Sequence, residues 1–209
     1  MVIPKKLHFV WVGDESKRPD NCINTWRHYH PDWEIKVWGN EEYQGEWVNK
    51  AHMEQMWPRE LNGVADMMRY EILFNEGGIT LDADSICLQT LPDWLLEPDE
   101  FACYENEFCR TGLVAAGYLG SVPKSLFFGQ IIEDIKNEPT VVDKMAWETV
   151  GPMRVTNTFY SLKYPLTVYP SHYFIPEHFS GQKYEGNGHI FATQLWGSTR
   201  RIYDHIYKA

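Results

Sequence analysis

Apolar and polar residues change period several times along this chain, and each change predicts an element. Leu7 to Val12 is an unbroken apolar run closed by Gly13, which reads as a buried strand. From about Lys17 to Tyr29 the pattern turns helical, with Ile23 and Trp26 on one face, until Pro31-Asp32 breaks it. Glu34 to Trp38 alternates and stops at Gly39-Asn40, as a second strand would. A strand, a helix and a strand in such quick succession suggest a parallel βαβ unit.

Trp47 to Met56 is expected to be helical. Asn62 to Asn75 shows the clearest helical stripe, formed by Val64, Met67, Met68, Ile72 and Leu73, with Asn62 as its cap and Gly77-Gly78 as its stop. Ile79-Thr80-Leu81 then runs as a strand into Asp82-Ala83-Asp84. Strands are expected again near Phe101 to Tyr104, Leu113 to Leu119, Leu166 to Tyr169 and His189 to Leu195. Helices are expected near Lys124 to Lys136 and Arg154 to Leu162. No internal repeat, linker or low-complexity tract interrupts the pattern. The order is α/β, more mixed toward the C-terminus, and the 209 residues suit a single domain.

Composition narrows the partners. With 44% hydrophobic and 23% charged residues the chain can bury a sizeable core. A net charge of −10 argues against nucleic acid, since Lys and Arg are scattered and Arg200-Arg201 is the only Arg pair. An acidic chain that binds a phosphorylated ligand needs a cation to reverse the local sign. Cys22, Cys87, Cys103 and Cys109 form no CxxC pair and read as packing residues of a reduced, cytoplasmic protein. The opening MVIPKKLHFVWVG does not read as a signal peptide, and no apolar stretch has the length of a membrane span.

The chemistry concentrates at Asp82-Ala83-Asp84. In an extended chain, residues two apart share a face, so both carboxylates could hold one oxygen-loving cation on a diphosphate. A solvated turn is the plain alternative, but the pair follows an apolar strand, where open α/β sheets place their ligands. Asp66, Arg69 and Tyr70 share a helical face, as a surface ion pair or as a grip on a donor sugar and its phosphates. Val10 and Trp11 end the first strand, where Trp11 is either core or a platform for a nucleobase. His189, Gln194, Trp196 and Ser198 form a C-terminal group in which His189 is either structural or a metal ligand.

These segments together resemble a known family. IPKKLHFVWVG, the helix with Trp26, HPDWEIKVW, and above all ADMMRYEILFNEGGITLDAD look like the GT32-type glycosyltransferases, the polysaccharide-building sugar transferases whose sugar-binding region carries a DxD motif. The glucosylating domains of large clostridial toxins are similar at the same places. The likeness continues through Gly151-Pro152 and Val168-Tyr169-Pro170 to the LWGS segment.

The resemblance implies a GT-A fold, a Rossmann-like and mostly parallel sheet flanked by helices, with the DxD at a strand end. Residues 1–120 would form the nucleotide-sugar-binding half, and 121–209 the acceptor-binding and closing half. It implies a hexosyl transfer with retention from a nucleotide-sugar, a UDP-sugar rather than GDP-mannose, to a glycan or other hydroxyl acceptor. Mn2+ or Mg2+ would sit on Asp82 and Asp84, with His189 or Gln194 as third ligand. Asp82, Asp84, Asp66 and Arg69 would carry the chemistry. Val10, Trp11, Tyr70, Gly78, Ala83, Trp196 and Ser198 would complete the donor site. Two positions depart from the family: Thr80 stands where many members have Tyr, and Gln194 where many have His. A nucleotide-sugar hydrolase and a carbohydrate-binding module without turnover are the competing readings.

Overall fold

The computed structural model describes residues 2–206. Its first strand, β1 (Lys6–Val10), is followed by α1 (Asp20–Tyr29) and β2 (Glu34–Trp38). β1 and β2 pair in parallel, so the βαβ unit expected from the pattern is present. Two helices, α2 (Asn40–Tyr43) and α3 (Lys50–Met56), lead to the long α4 (Leu61–Glu76). Then come β3 (Gly78–Leu81), β4 (Ser85–Cys87), β5 (Glu100–Tyr104), β6 (Val114–Ser121) and α5 (Leu126–Lys136). The chain ends through α6 (Ala146–Thr149), α7 (Pro152–Leu162), β7 (Thr167–Tyr169), β8 (Ala192–Gln194), α8 (Gly197–Arg200) and α9 (Tyr203–Ile206).

Six strands form the central sheet in the order β2-β1-β3-β6-β5-β7. β1, β2 and β3 run together, β6 runs against β3 and β5, and β7 runs with β5. Only β6 is therefore reversed, and the carboxyl ends of β1, β3 and β5 share one edge. A separate ribbon of β4 and β8 pairs Ser85 with Gln194 and brings the C-terminal segment back to the motif.

One core lies between the sheet and α4, α5 and α7, with Met67, Leu73, Phe127 and Ile131 fully buried. The other lies on the opposite face around Trp26, Phe101, Phe174 and Phe191. α4 is not the one-sided helix that its stripe suggested. Every residue from Gly63 to Leu73 is buried, because α3, α5 and α6 cover what the sheet does not. Nor does Asn62 cap it. The helix starts one residue earlier, and Glu60 precedes it in extended conformation, using its carboxylate to accept from the Ala146 N–H at 2.7 Å.

Gly77-Gly78 does stop α4 as expected. Both residues are left-handed, with φ of +66° and +95°, and a Cβ on either would meet a backbone oxygen 2.8 Å away. The last strand, expected from His189, forms only over Ala192–Gln194. Cys22, Cys87 and Cys103 are buried free thiols, as packing residues would be, whereas Cys109 is exposed.

Candidate active site

The shared edge of β1, β3 and β5 opens into a cleft of about 1010 Å³. Val10 and Trp11 line it at the end of β1, Asp82, Ala83 and Asp84 just after β3, and Glu105 just after β5. α4 contributes Asp66 and Arg69, and the C-terminal segment contributes Gln194, Trp196, Ser198 and Tyr203. This is the position in which a parallel α/β sheet collects ligands, because loops leaving its carboxyl ends converge there.

The two aspartates converge on one amide. Gln194 Nε2 donates to Asp82 Oδ2 at 3.1 Å and to Asp84 Oδ1 at 3.0 Å. The remaining oxygens are also held: Arg69 Nη2 donates to Asp82 Oδ1 at 2.5 Å, and the Gly197 N–H to Asp84 Oδ2 at 2.6 Å. Burial, and next the charge of Asp82, push the Asp84 carboxyl up to about 6. On the far side of Arg69, Nη1 donates to Asp66 Oδ1 at 2.8 Å. Burial raises the Asp66 carboxyl to about 7 against the opposing pull of Arg69. One guanidinium thus clamps an aspartate of α4 to an aspartate of the motif, as its planar fork allows.

The segments flanking the cleft are fixed as well. After β1, the Gly13 N–H donates to Asn40 Oδ1 and Asn40 Nδ2 returns a bond to the Gly13 carbonyl, both at 2.8 Å. Trp11 meets the edge of Tyr203 at 4.9 Å between ring centroids. Trp196 takes φ of +60°, a left-handed backbone unusual for a bulky residue, and its indole N–H donates to the Glu177 carbonyl. That turn presents the Gly197 N–H to Asp84.

Three expectations fail on position and a fourth on orientation. Tyr70 is fully buried and donates its hydroxyl to the Val150 carbonyl at 2.7 Å, away from the cleft. The i, i+4 spacing from Asp66 was sound, but on a helix buried all round that face includes core. Gly78 lies at the amino end of β3, against Lys6, opposite the motif. His189 is exposed and packs on Trp94, Tyr173 and Phe191, outside the cleft lining. Gln194 stands beside the motif, but its amide oxygen accepts from the Tyr118 hydroxyl, so its nitrogen, not an oxygen ligand, faces the carboxylates.

Sequence reading missed Tyr118, Gly197 and Gly117. A Cβ on Gly117 would lie 2.3 Å from Asp82 Oδ2, so this strand position must be glycine for Asp82 to pack against it. A glycine inside an apolar run, in Ala115-Ala116-Gly117-Tyr118, was the available signal.

Residues 16–101 match the model of the glycosyltransferase sugar-binding region containing the DXD motif. Among curated proteins, the chain is 28% identical over 147 residues to the mannosyl phosphorylinositol ceramide synthase CSH1 of Saccharomyces cerevisiae, covering 65% of this chain and 36% of that one. Over 127 residues it is 28% identical to the subversion of eukaryotic traffic protein A of Legionella pneumophila, covering 47% of this chain and 20% of that one. The chain thus spans between 20% and 56% of the length of the curated relatives it matches.

Among solved structures, it is similar to the PaToxG glycosyltransferase at a TM-score of 0.63 with 17% identity, over 77% of this chain and 70% of that one. The UDP-bound glycosyltransferase domain of the YGT toxin is similar at a TM-score of 0.50 with 11% identity, over 79% and 68%. These identities speak for the fold, and the GT-A architecture expected from the sequence is the one observed. The matched region is similar to the DXD-bearing sugar-binding region of glycosyltransferases, and the fold of the chain is one that glycosyltransferases have.

Proposed function

We propose that this protein transfers a hexosyl group from a nucleotide-sugar to a hydroxyl acceptor, with retention and with the help of a divalent cation. The observation that carries the reading is the convergence of Asp82 and Asp84 on the single Gln194 amide, at the floor of the cleft. A buried carboxylate, Asp84, and a partly buried one, Asp82, brought this close repel, and a cation relieves both at once.

The donor set fits Mn2+ or Mg2+. Such ions take carboxylate oxygens and are commonly held by one or two carboxylates plus substrate phosphates, not by a cage made of protein alone. Among the described residues no group of three or more His, Cys, Asp or Glu side chains gathers, so any further ligands would have to come from the donor or water. Asp82 and Asp84 would hold the ion. When bound, it would offset the charge that grows on the diphosphate leaving group. Arg69 adds a fixed positive charge beside Asp82 and keeps Asp66 in place for the sugar. Trp11, backed by Tyr203, would offer its ring to a base, and Trp196 with Ser198, which line the cleft, would close over the phosphates.

A UDP-sugar is the donor we favour, in line with the Trp11 segment and with the UDP found in the YGT toxin domain. Relatives named as mannosyltransferases keep GDP-mannose on the panel. Thermal shift with UDP- and GDP-sugars, each with and without Mn2+, tests the reading. A shift that needs both donor and Mn2+, and that Asp84→Ala abolishes, supports it, because a ligand of the folded state raises Tm by mass action. Released free sugar with every acceptor would point to hydrolysis instead. No shift with any donor and metal would leave a binding module as the better account.

A further inference from the structure

The cleft holds one more carboxylate with an unusual setting. Glu105 directly follows β5, so it emerges at the same edge as Asp82 and Asp84. Its N–H donates to the Leu113 carbonyl at 2.9 Å, which ties it to the start of β6. Its side chain is only 10% exposed, yet it lines the cleft with Arg110, Trp147 and Phe179. Burial raises the Cys103 thiol, and the charges of Glu107, Asp82 and Glu105 add to the rise.

Two donors hold this carboxylate, and both fall on the same oxygen. Arg110 Nε donates to Oε1 at 3.3 Å, and His178 Nε2 lies 3.2 Å from it. Oε2 has no donor among the described residues. His178 is 2% exposed, and its orientation is set from behind by Ser180. The Ser180 hydroxyl lies 2.7 Å from Nδ1, and the Ser180 N–H donates to Nδ1 at 3.3 Å. A backbone N–H can only donate, so Nδ1 is the acceptor and the ring proton sits on Nε2, toward Glu105. Arg110 is held in turn over the Trp147 ring, 5.1 Å from its centre. A nearly buried carboxylate is thus immobilised through one oxygen while the other keeps its lone pairs unused. Oε2 is not sealed from the cleft, so a donor from solvent or from a bound hydroxyl can reach it.

We propose that Glu105 is the catalytic residue that receives the acceptor, with Arg110 and His178 as positioning residues. The proposal rests on the transfer reading. Oε2 accepts a hydrogen bond from the attacking hydroxyl. The acceptor oxygen bonds to the anomeric carbon on the face from which the diphosphate departs, so configuration is retained, and the bond from that carbon to the diphosphate breaks with its electron pair leaving on the diphosphate. The hydroxyl proton passes to Glu105. Trp147 and Phe179 beside it offer apolar faces of the kind that stack on a sugar ring, so the acceptor class is a carbohydrate or cyclic polyol.

The test follows a radiolabelled donor with Mn2+ against free hexoses and polyols, measuring both transfer and release of free sugar to water. Glu105→Gln is expected to lower kcat for transfer by about 100-fold or more, the usual scale for a lost general base. It should also erase the acid limb of the pH–rate profile, while the donor-induced thermal shift stays at the wild-type value. Glu105→Asp, which keeps the charge, should retain part of the activity and carries the test if the Gln variant does not fold. His178→Gln should lower kcat with little change in acceptor KM. Transfer by Glu105→Gln at the wild-type rate, with an unchanged pH profile, overturns the proposal and leaves the transfer reading intact. A wild-type protein that neither binds nor turns over any donor overturns both.

Discussion

The backbone N–H of Gly197 donates to Asp84 Oδ2 at 2.6 Å, joining the motif to a segment 113 residues further along the chain. This bond, with those from Gln194, makes the C-terminal segment part of the carboxylate site and not merely its cover. A Cβ on Gly197 would come within 2.2 Å of the Tyr203 ring, and Tyr203 in turn backs Trp11. Gly197→Ala should therefore displace both the Asp84 contact and the Trp11 platform. Donor affinity is expected to fall by roughly 10-fold or more, the worth of one lost charge-assisted hydrogen bond. Isothermal titration with donor and Mn2+ reads this directly.

Gly117 makes the same point from the sheet. Its replacement by Ala places a methyl 2.3 Å from Asp82 Oδ2, so the carboxylate must turn away from Arg69 or Gln194. The Mn2+-dependent thermal shift should vanish in Gly117→Ala, while circular dichroism keeps its native shape. A wild-type shift in this variant would remove Asp82 from the metal site.

Asp84 and Asp66 make the ligand-free protein sensitive to pH. Both carboxyls sit above their ordinary 3.8, near 6 and 7, chiefly because burial disfavours the charged form. A raised folded value means that stability is full below pH 4 and is lost as pH rises through about 6 to 7. Asp84→Asn removes one of these groups. The variant should gain stability over the wild type between pH 4.5 and 7.5, by roughly 1–3 kcal/mol at the upper end. Melting curves at both pH values, without metal or donor, test the sign.

Arg69 bridges Asp66 and Asp82 with two different nitrogens. Lysine carries one point charge and cannot span both, so Arg69→Lys should lose transfer activity by about 10-fold or more. It should also destabilise the fold, though less than Arg69→Ala, which strands the buried Asp66 and the partly buried Asp82 at a cost of about 3 kcal/mol. Denaturant unfolding of the pair of variants checks the ranking.

Tyr70 and His189 serve as counter-tests, because the structure removes both from the donor site. Tyr70→Phe loses the bond to the Val150 carbonyl and should cost about 1–2 kcal/mol of stability with donor affinity unchanged. His189→Ala, exposed and outside the cleft lining, should leave the Mn2+ requirement as it is.

Local pattern decides local structure, and here it carried far. The stretch from Leu7 to Asp84 was legible because strand periodicity, the Gly77-Gly78 stop and the motif are near-neighbour features that backbone sterics enforce. The strand end under Asp82 and the βαβ unit followed from it, while of the C-terminal group only Trp196 and Ser198 stand in the cleft as expected. What the sequence could not tell is which long-range partner each polar atom takes. α4 read as one-sided because a stripe records only the strongest face, whereas α3, α5 and α6 bury the rest. Tyr70 read as site because spacing places it near Asp66 without saying which way the helix faces. Only the folded chain sets Gln194 nitrogen, and not oxygen, between Asp82 and Asp84, since the Tyr118 hydroxyl claims the oxygen. Only there do Glu105, Arg110 and His178 meet, 73 residues separating the acid from its imidazole. Helix and strand follow from nearby residues, but a site is an arrangement of hydrogen-bond partners, which closure of the whole core selects.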